Sequence, residues 1–425
     1  MASVWQHDPG RMTRELLDIE VARRTVLDRV SPLPGEHVAL DDALGRVLAA
    51  DVASADAVPP FDNSAMDGYA VRAEDTGRAG PDAPVALRVV DESRAGAPAG
   101  RTAGPGEAIA ISTGATMPPG CDGIVRLEDA DLRGGSIIVS SPVEPGRDLR
   151  HAGDDVMAGD VVLGRGTVLG PSELGVLAAV GRSGVPCARR PRIAVLTTGD
   201  ELVGPGGDLG PGKIRDANAH SVPALARTAG ADLGAVAHTG DDAEATREAI
   251  AGLLDADVAV VCGGVSVGEH DHVRSAFAEL GVEEVFWGLA LRPGKPTWFG
   301  VTGDASLAFG LPGNPVSAVV TFILLVRPAL LALAGASPER YRTTAVLDSP
   351  YSKHPGRAHF VRVRLETRDD GWHARPTKEQ ASHVLTSMLG ADAFAIVPTE
   401  RGDVEAGERV EIELLPSLGI LAGGV

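Results

Sequence analysis

Arg192-Ile193-Ala194-Val195-Leu196-Thr197-Thr198 runs straight into Gly199-Asp200-Glu201-Leu202, and this stretch decides the fold. Four consecutive apolar residues (193–196), followed by two threonines and stopped by glycine, read as a strand. Downstream, helical spacing at 221–229, a strand at 234–238, a helix at 242–254, a strand at 257–262 and a helix at 272–280 continue the pattern. Strands alternating with helices of this length imply parallel βαβ units, hence an α/β domain with a parallel sheet.

The texture changes on either side. Residues 12–30 have helical spacing (Leu16, Leu17, Ile19, Val26, Leu27, Val30) and end before the breaker Ser31-Pro32-Leu33-Pro34-Gly35. A strand, a turn at Gly45 and a second strand are expected across 37–53. Short β-like runs at 68–71, 85–90, 109–112, 123–127 and 136–139, separated by Gly and Pro, predict a mostly β domain. After Pro338, runs at 342–348, 359–366, 393–398 and 408–414 predict a small C-terminal β domain. The apolar stretch 316–326, stopped by Arg327 and Pro328, is too short to span a membrane and reads as a buried helix.

A formal charge of −19 without a basic run argues against binding to nucleic acid or anionic lipid, both of which need clustered Lys and Arg. Cys121, Cys187 and Cys262 lie far apart, which predicts free thiols in a reducing compartment. Residues 1–8 have no apolar core, so no secretory leader is expected, and the reading is cytoplasmic.

Three loops fall at the carboxyl edge of the α/β strands, where open parallel sheets bind ligands. They are Thr197–Leu202, Gly263-Gly264-Val265-Ser266-Val267-Gly268-Glu269-His270-Asp271, and Leu311-Pro312-Gly313-Asn314-Pro315-Val316-Ser317, with Pro315 placed to start a helix. Glycines let backbone N–H groups approach anionic oxygens, and a helix N-terminus adds partial positive charge. Glu201, Asp241, Asp242 and Asp271 would repel a phosphate unless a hard cation such as Mg²⁺ bridges them. Leu291-Arg292-Pro293-Gly294-Lys295-Pro296 puts two bases on a tight turn that suits an oxyanion. Outside this segment, the polar loops at 59–70 and 150–155 serve equally well as turns or as binding loops.

Together, in this order, PPFDNSAMDGYA (59–70), TTGDEL (197–202), GGVSVGEHD (263–271), LRPGKP (291–296) and LPGNPVS (311–317) resemble the molybdopterin molybdenumtransferase family, which includes the C-terminal domain of gephyrin. The resemblance runs from about residue 12 to the end. It implies an elongated homodimer of four-domain chains: 12–54 with 157–189, an inserted β domain at 55–156, a molybdopterin-binding α/β domain at 190–338, and a β domain at 339–425. It implies that adenylylated molybdopterin and molybdate react, with Mg²⁺ present, to give molybdenum cofactor and AMP. By matching residues, Asp62 and Thr113 would act from the partner subunit's β domain, and Arg150 and Asp155 match a family loop. Glu201, Asp241 or Asp242, and Asp271 would hold Mg²⁺ and the pterin nucleotide, against Gly263, Gly264 and Ser266. Arg292 and Lys295 would hold molybdate or phosphate. Pro312 and Pro315 would shape the wall, and Ser382 falls in the matching C-terminal stretch. Arg292 replaces a lysine common in relatives, and Ala381 stands where glycine is expected. Two other readings share some of these strings: adenylylation of molybdopterin by ATP, and a gephyrin-like scaffold.

Overall fold

The strand read at 192–198 forms as Arg192–Thr198 and lies second in a six-stranded sheet. The strand order is Asp232–Thr239, Arg192–Thr198, Val258–Cys262, Leu307–Leu311, Trp298–Val301, Glu283–Trp287. The first four strands are parallel, as expected. The last two extend the sheet antiparallel. Only residues 302–306 separate Trp298–Val301 from Leu307–Leu311, too few for the crossover that a parallel neighbour needs. Val258–Cys262, in mid-sheet, is buried at every position. One face packs Val195, Val260, Phe309 and Phe322, and the other packs Leu196, Val261, Phe277 and Trp298. The Phe277 and Trp298 rings stack with centroids 4.6 Å apart.

The computed structural model describes residues 15–266, 272–338 and 341–415. Its contacts divide into two units, His37–Cys187 and the combination of Met1–Glu36 with Ala188–Val425. In the second unit the sheet carries helices Asn218–Thr228, Ala243–Ala251 and Val273–Glu279. Asp242 stands just outside its helix, its carboxylate accepting from the Ala245 amide at 2.8 Å, which sets that helix start one residue later than expected. Helix Ile19–Leu27 is shorter than the expected 12–30 because Asp18 caps it through the Glu20 amide (2.8 Å). Its Ile19, Ala22 and Val26 enter the α/β core, which places its contacts in this unit.

The apolar helix does not stop at Arg327 and Pro328. Pro315–Thr321 passes through a wider π turn at Phe322–Val326 into Arg327–Leu333. Pro328 follows the register change, where the regular i→i−4 ladder is already interrupted, so its missing N–H breaks nothing further. The run Pro315–Leu333 is long and apolar enough to cross a membrane by length and composition, and most of it is buried within the fold.

The C-terminal strands close on themselves. Ala358–Arg368 pairs with Gly371–Pro376, which is followed by Arg342–Leu347, Arg409–Leu414 and Ala393–Val397, and the last of these returns to pair with Ala358–Arg368. Closure leaves no free edge within this ring. Gly371–Pro376 adds a strand that the sequence reading lacked. Leu291–Arg292 lies parallel to Ala358 and His359, tying the LRPGKP turn to the barrel.

In the unit His37–Cys187, six strands lie in the order Gly123–Arg126, Gly68–Val71, Glu107–Ile111, Val85–Ser93, Ser136–Val139, Ala130–Arg133. They enclose Tyr69, Val71, Leu87, Val125, Ile137 and Val139. A second core joins Val38, Leu48 and Val52 to Leu169, Leu177 and Val185.

Candidate functional site

In the His37–Cys187 unit, three segments distant in sequence meet at the 59–70 loop. Asn63–Ser64 pairs antiparallel with Leu149–Arg150, which sets Arg150 opposite Asn63. Asp62 is half-exposed. Its carboxylate accepts the Ala152 amide at 2.8 Å and faces His151 Nδ1 at 3.4 Å. These contacts, the Ala152 amide foremost, hold its pKa below the usual carboxylate value. Asp67 accepts the Thr113 amide (2.7 Å) and hydroxyl (3.0 Å), and is likewise depressed. Gly68 must be glycine, since a Cβ there would lie 2.1 Å from the Val125 carbonyl oxygen. Asp62, Thr113, Arg150 and Asp155 are all exposed, and the Asp155 amide is anchored to the Val58 carbonyl at 3.0 Å. The turn reading and the binding reading of this loop are therefore both present: Asn63 and Ser64 are buried and hold the turn, while Asp62 stays available to solvent.

In the other unit, the carboxyl ends of three adjacent strands converge. Gly263 (φ +104°) and Gly264 (φ +60°) fold tightly over the end of Arg192–Thr198, with the position of a Gly263 Cβ only 2.7 Å from Thr198 Oγ1. The Gly263 amide donates to the Leu311 carbonyl (3.0 Å), joining the second loop to the third. Asn218 Nδ2 donates to the Gly313 carbonyl at 2.8 Å. Pro312 is buried, and Pro315 begins its helix after Asn314, as expected. Ser266 ends this described stretch. Asp271, together with His270, lies outside the described residues.

Of the expected metal ligands, Glu201, Asp241 and Asp242 are exposed at this edge. Asp200 and Asp241 interlock: the Asp200 amide donates to Asp241 Oδ2 (3.3 Å), and the Asp241 amide to Asp200 Oδ1 (3.2 Å). The Glu201 carboxylate folds against Gly199, where a Cβ would come within 2.4 Å of it. The Asp242 carboxylate is engaged as a helix cap. Among the described residues, no three His, Cys, Asp or Glu side chains form a ready metal cluster. Separate exposed carboxylates still suit Mg²⁺, which keeps waters and phosphate oxygens in its shell and seldom sits in an all-protein cage.

The bases of LRPGKP open onto a cationic patch that the sequence reading missed. Arg292 and Lys295 are exposed, and neither has an ion-pair partner among the described residues. Among the described residues, Arg362, 1% exposed, bonds through its guanidinium only to Ser387 Oγ (3.2 and 3.1 Å) and the Ala381 carbonyl (3.4 Å), with no carboxylate opposite. Burial first, and Arg292 besides, push it down to about 10. His359, in register with Arg292, is pushed down to about 4 by burial and by Arg292, Lys353 and Arg357. Ser382 directly follows the carbonyl that receives Arg362. Buried cations without counter-ions are expensive, so the patch is set to receive an anion.

Cys121, Cys187 and Cys262 are free, and burial pushes the Cys121 and Cys262 thiols up to about 12, far from thiolate chemistry.

Family models match along the chain. The MoeA N-terminal region (domain I and II) matches residues 17–181, a probable molybdopterin binding domain 194–332, and the MoeA C-terminal region (domain IV) 344–415. Over 408 residues the chain is 36% identical to a molybdopterin molybdenumtransferase of Haemophilus influenzae, covering 94% of this chain and 98% of the relative. It is 38% identical, also over 408 residues, to molybdopterin molybdenumtransferase 2 of Mycobacterium tuberculosis, covering 93% and 98%. A solved molybdopterin biosynthesis MoeA protein of Pyrococcus horikoshii OT3 superposes with a TM-score of 0.82 at 31% identity, covering 94% of this chain and 100% of that one.

Proposed function

This chain belongs to the molybdopterin molybdenumtransferase family, and we propose that its substrates are adenylylated molybdopterin and molybdate, its products molybdenum cofactor and AMP. It is a transferase of molybdenum cofactor biosynthesis that inserts molybdenum. The observation that carries the substrate assignment is the buried guanidinium of Arg362, without a carboxylate partner, beside Arg292. Molybdate is a tetrahedral dianion, and a guanidinium fork with a neighbouring cation suits its oxygens through charge-assisted hydrogen bonds. Arg292, Lys295 and Arg362 hold it, and Ser382 sits at the rim.

The pterin nucleotide lies over Gly263, Gly264 and Ser266, along the wall of Pro312 and Pro315. Glu201 and Asp241, with Asp271, would hold Mg²⁺; Asp242 is assigned to its helix cap. When bound, Mg²⁺ neutralises the phosphoanhydride and makes its phosphorus more electrophilic. Asp62, ionised and fixed by the Ala152 amide, orients the oxygen that attacks or leaves, with Thr113, Arg150 and Asp155 shaping its loop. The substrate brings its own dithiolene sulfurs, so the protein needs no thiolate, consistent with three cysteines that stay protonated or buried. The protein acts as a homodimer in the cytoplasm, with the Asp62 loop of each copy serving the other's pterin site.

The test is molybdate binding by calorimetry, with and without AMP, to wild type and Lys295→Ala. Loss of at least about tenfold in affinity is expected, the scale of one charge-assisted hydrogen bond. Equal affinity would remove the oxyanion from this turn.

A further inference from the structure

Among the described residues, five buried side-chain atoms lack a hydrogen-bond partner, and three of them gather at the carboxyl edge of the α/β sheet: Thr198 Oγ1, Asn218 Oδ1 and Ser221 Oγ. Thr198 is 8% and Asn218 6% exposed, so neither residue is satisfied by bulk water. They are linked through the site loops. Thr198 Oγ1 lies beneath Gly263 and Gly264, 2.7 and 3.3 Å from where their Cβ atoms would be. A Cβ on Gly313 would lie 3.6 Å from Gly263 Cα, and the Gly313 carbonyl holds Asn218 Nδ2. Ser221 stands three residues on, on the same face of helix Asn218–Thr228.

A buried polar atom left unpaired is costly, and natural folds rarely keep one without a use. Three at one edge, under the glycine loops, are harder to keep than to lose, since Val or Ala would fill the same space. The amide of Asn218 is oriented: only its NH₂ can donate to the Gly313 carbonyl, so its free Oδ1 can only accept. Whatever completes it must therefore bring an N–H or O–H. The two hydroxyls can donate to an anionic oxygen.

We propose that Thr198, Asn218 and Ser221 are specificity-determining residues for the pterin nucleotide, their three unpaired atoms being completed by a donor-bearing heterocycle or ribose and its adjoining phosphate, directly or through one trapped water. This rests on the substrate reading above and adds residues to it. The donor comes from either end of the ligand, the adenosine or the pterin, and separate probes tell these apart.

The experiment uses the full-length protein with Thr198→Val and Ser221→Ala, each of which deletes an unpaired hydroxyl with little change of shape. Thermal midpoints are measured without ligand, and dissociation constants for AMP, for molybdopterin and for adenylylated molybdopterin. An atom reserved for ligand predicts opposite signs: the midpoint of the free protein stays or rises by roughly 1–3 °C, while affinity for adenylylated molybdopterin falls at least about tenfold. A matching loss for AMP alone assigns the contact to the adenosine end, and a matching loss for molybdopterin alone to the pterin end. A lower midpoint with unchanged affinities in both variants overturns the inference and makes the hydroxyls structural. If wild type binds none of the three probes, the substrate reading fails and takes this inference with it; if wild type binds and both variants bind equally, this inference alone fails.

Discussion

Arg362→Met is the most informative single perturbation, because the structure predicts that it separates stability from binding. Burial and Arg292 push the guanidinium down to about 10 from an ordinary 12.5. At about 1.4 kcal/mol per pH unit, keeping it charged costs the fold roughly 3 kcal/mol. Since the group is protonated in both folded and unfolded chains below about pH 10, that cost is constant across any assay range. Methionine removes the charge and fills similar space. It also loses the bonds to Ser387 and Ala381, at 3.1–3.4 Å, worth roughly 2 kcal/mol together. The two terms nearly cancel, so the free variant should melt within about 2–3 °C of wild type. Molybdate, deprived of a charged donor worth about 3 kcal/mol, should bind roughly a hundredfold more weakly. The assay is differential scanning fluorimetry alongside molybdate calorimetry. A variant that melts far lower yet binds molybdate normally would refute the reasoning and make Arg362 a structural strut.

Three further outcomes are expected. Asp242→Ala should lose about 1 kcal/mol of helix-cap stability and keep its Mg²⁺ dependence, whereas Asp241→Ala should need roughly tenfold more Mg²⁺ for half-maximal activity; a magnesium titration of both decides between neighbours that the sequence left open. His359, held down to about 4, refuses a proton that the unfolded chain accepts near 6.5. Its contribution is therefore present above pH 6.5 and lost as pH falls towards 4, so the melting midpoint of His359→Gln should fall less steeply than wild type across that window; parallel slopes would show that His359 does not govern it. Gly68→Ala drives a Cβ to 2.1 Å from the Val125 carbonyl and should cost at least about 2–3 kcal/mol, read as a lower urea midpoint; a wild-type midpoint would mean the strand pair yields freely.

What the sequence disclosed follows from which physical signals are local. The strands Arg192–Thr198 and Val258–Cys262 each hold an unbroken apolar run, 193–196 and 258–262, so they could be read directly. Glu283–Trp287 and Trp298–Val301 could not, since the turn between them carries the LRPGKP bases and conceals the pairing. The helix through Arg327 and Pro328 was misjudged because a π turn, which has no sequence signature of its own, absorbs the proline. Arg362 was missed for a different reason. In Phe360-Val361-Arg362-Val363-Arg364 the alternation suggests that both arginines face solvent. Instead, the first six residues of Ala358–Arg368 are buried, and residues 380–387 cover the Arg362 side, where the Gln380 side chain accepts the Arg362 amide and Ser387 Oγ receives its guanidinium. Asp62, Thr113 and Arg150 were named from motifs, but the Ala152 amide that fixes Asp62 and the Asp67 carboxylate that holds Thr113 are tertiary contacts, 90 and 46 residues apart in sequence.

The central claim is tested most directly by AMP release from adenylylated molybdopterin with Mg²⁺, with and without molybdate, for wild type and Asp62→Ala. The account predicts molybdate-dependent AMP from wild type and a fall of about a hundredfold or more in the variant, the scale of losing a positioned carboxylate. AMP release that ignores molybdate, or none at all from folded protein, would contradict it.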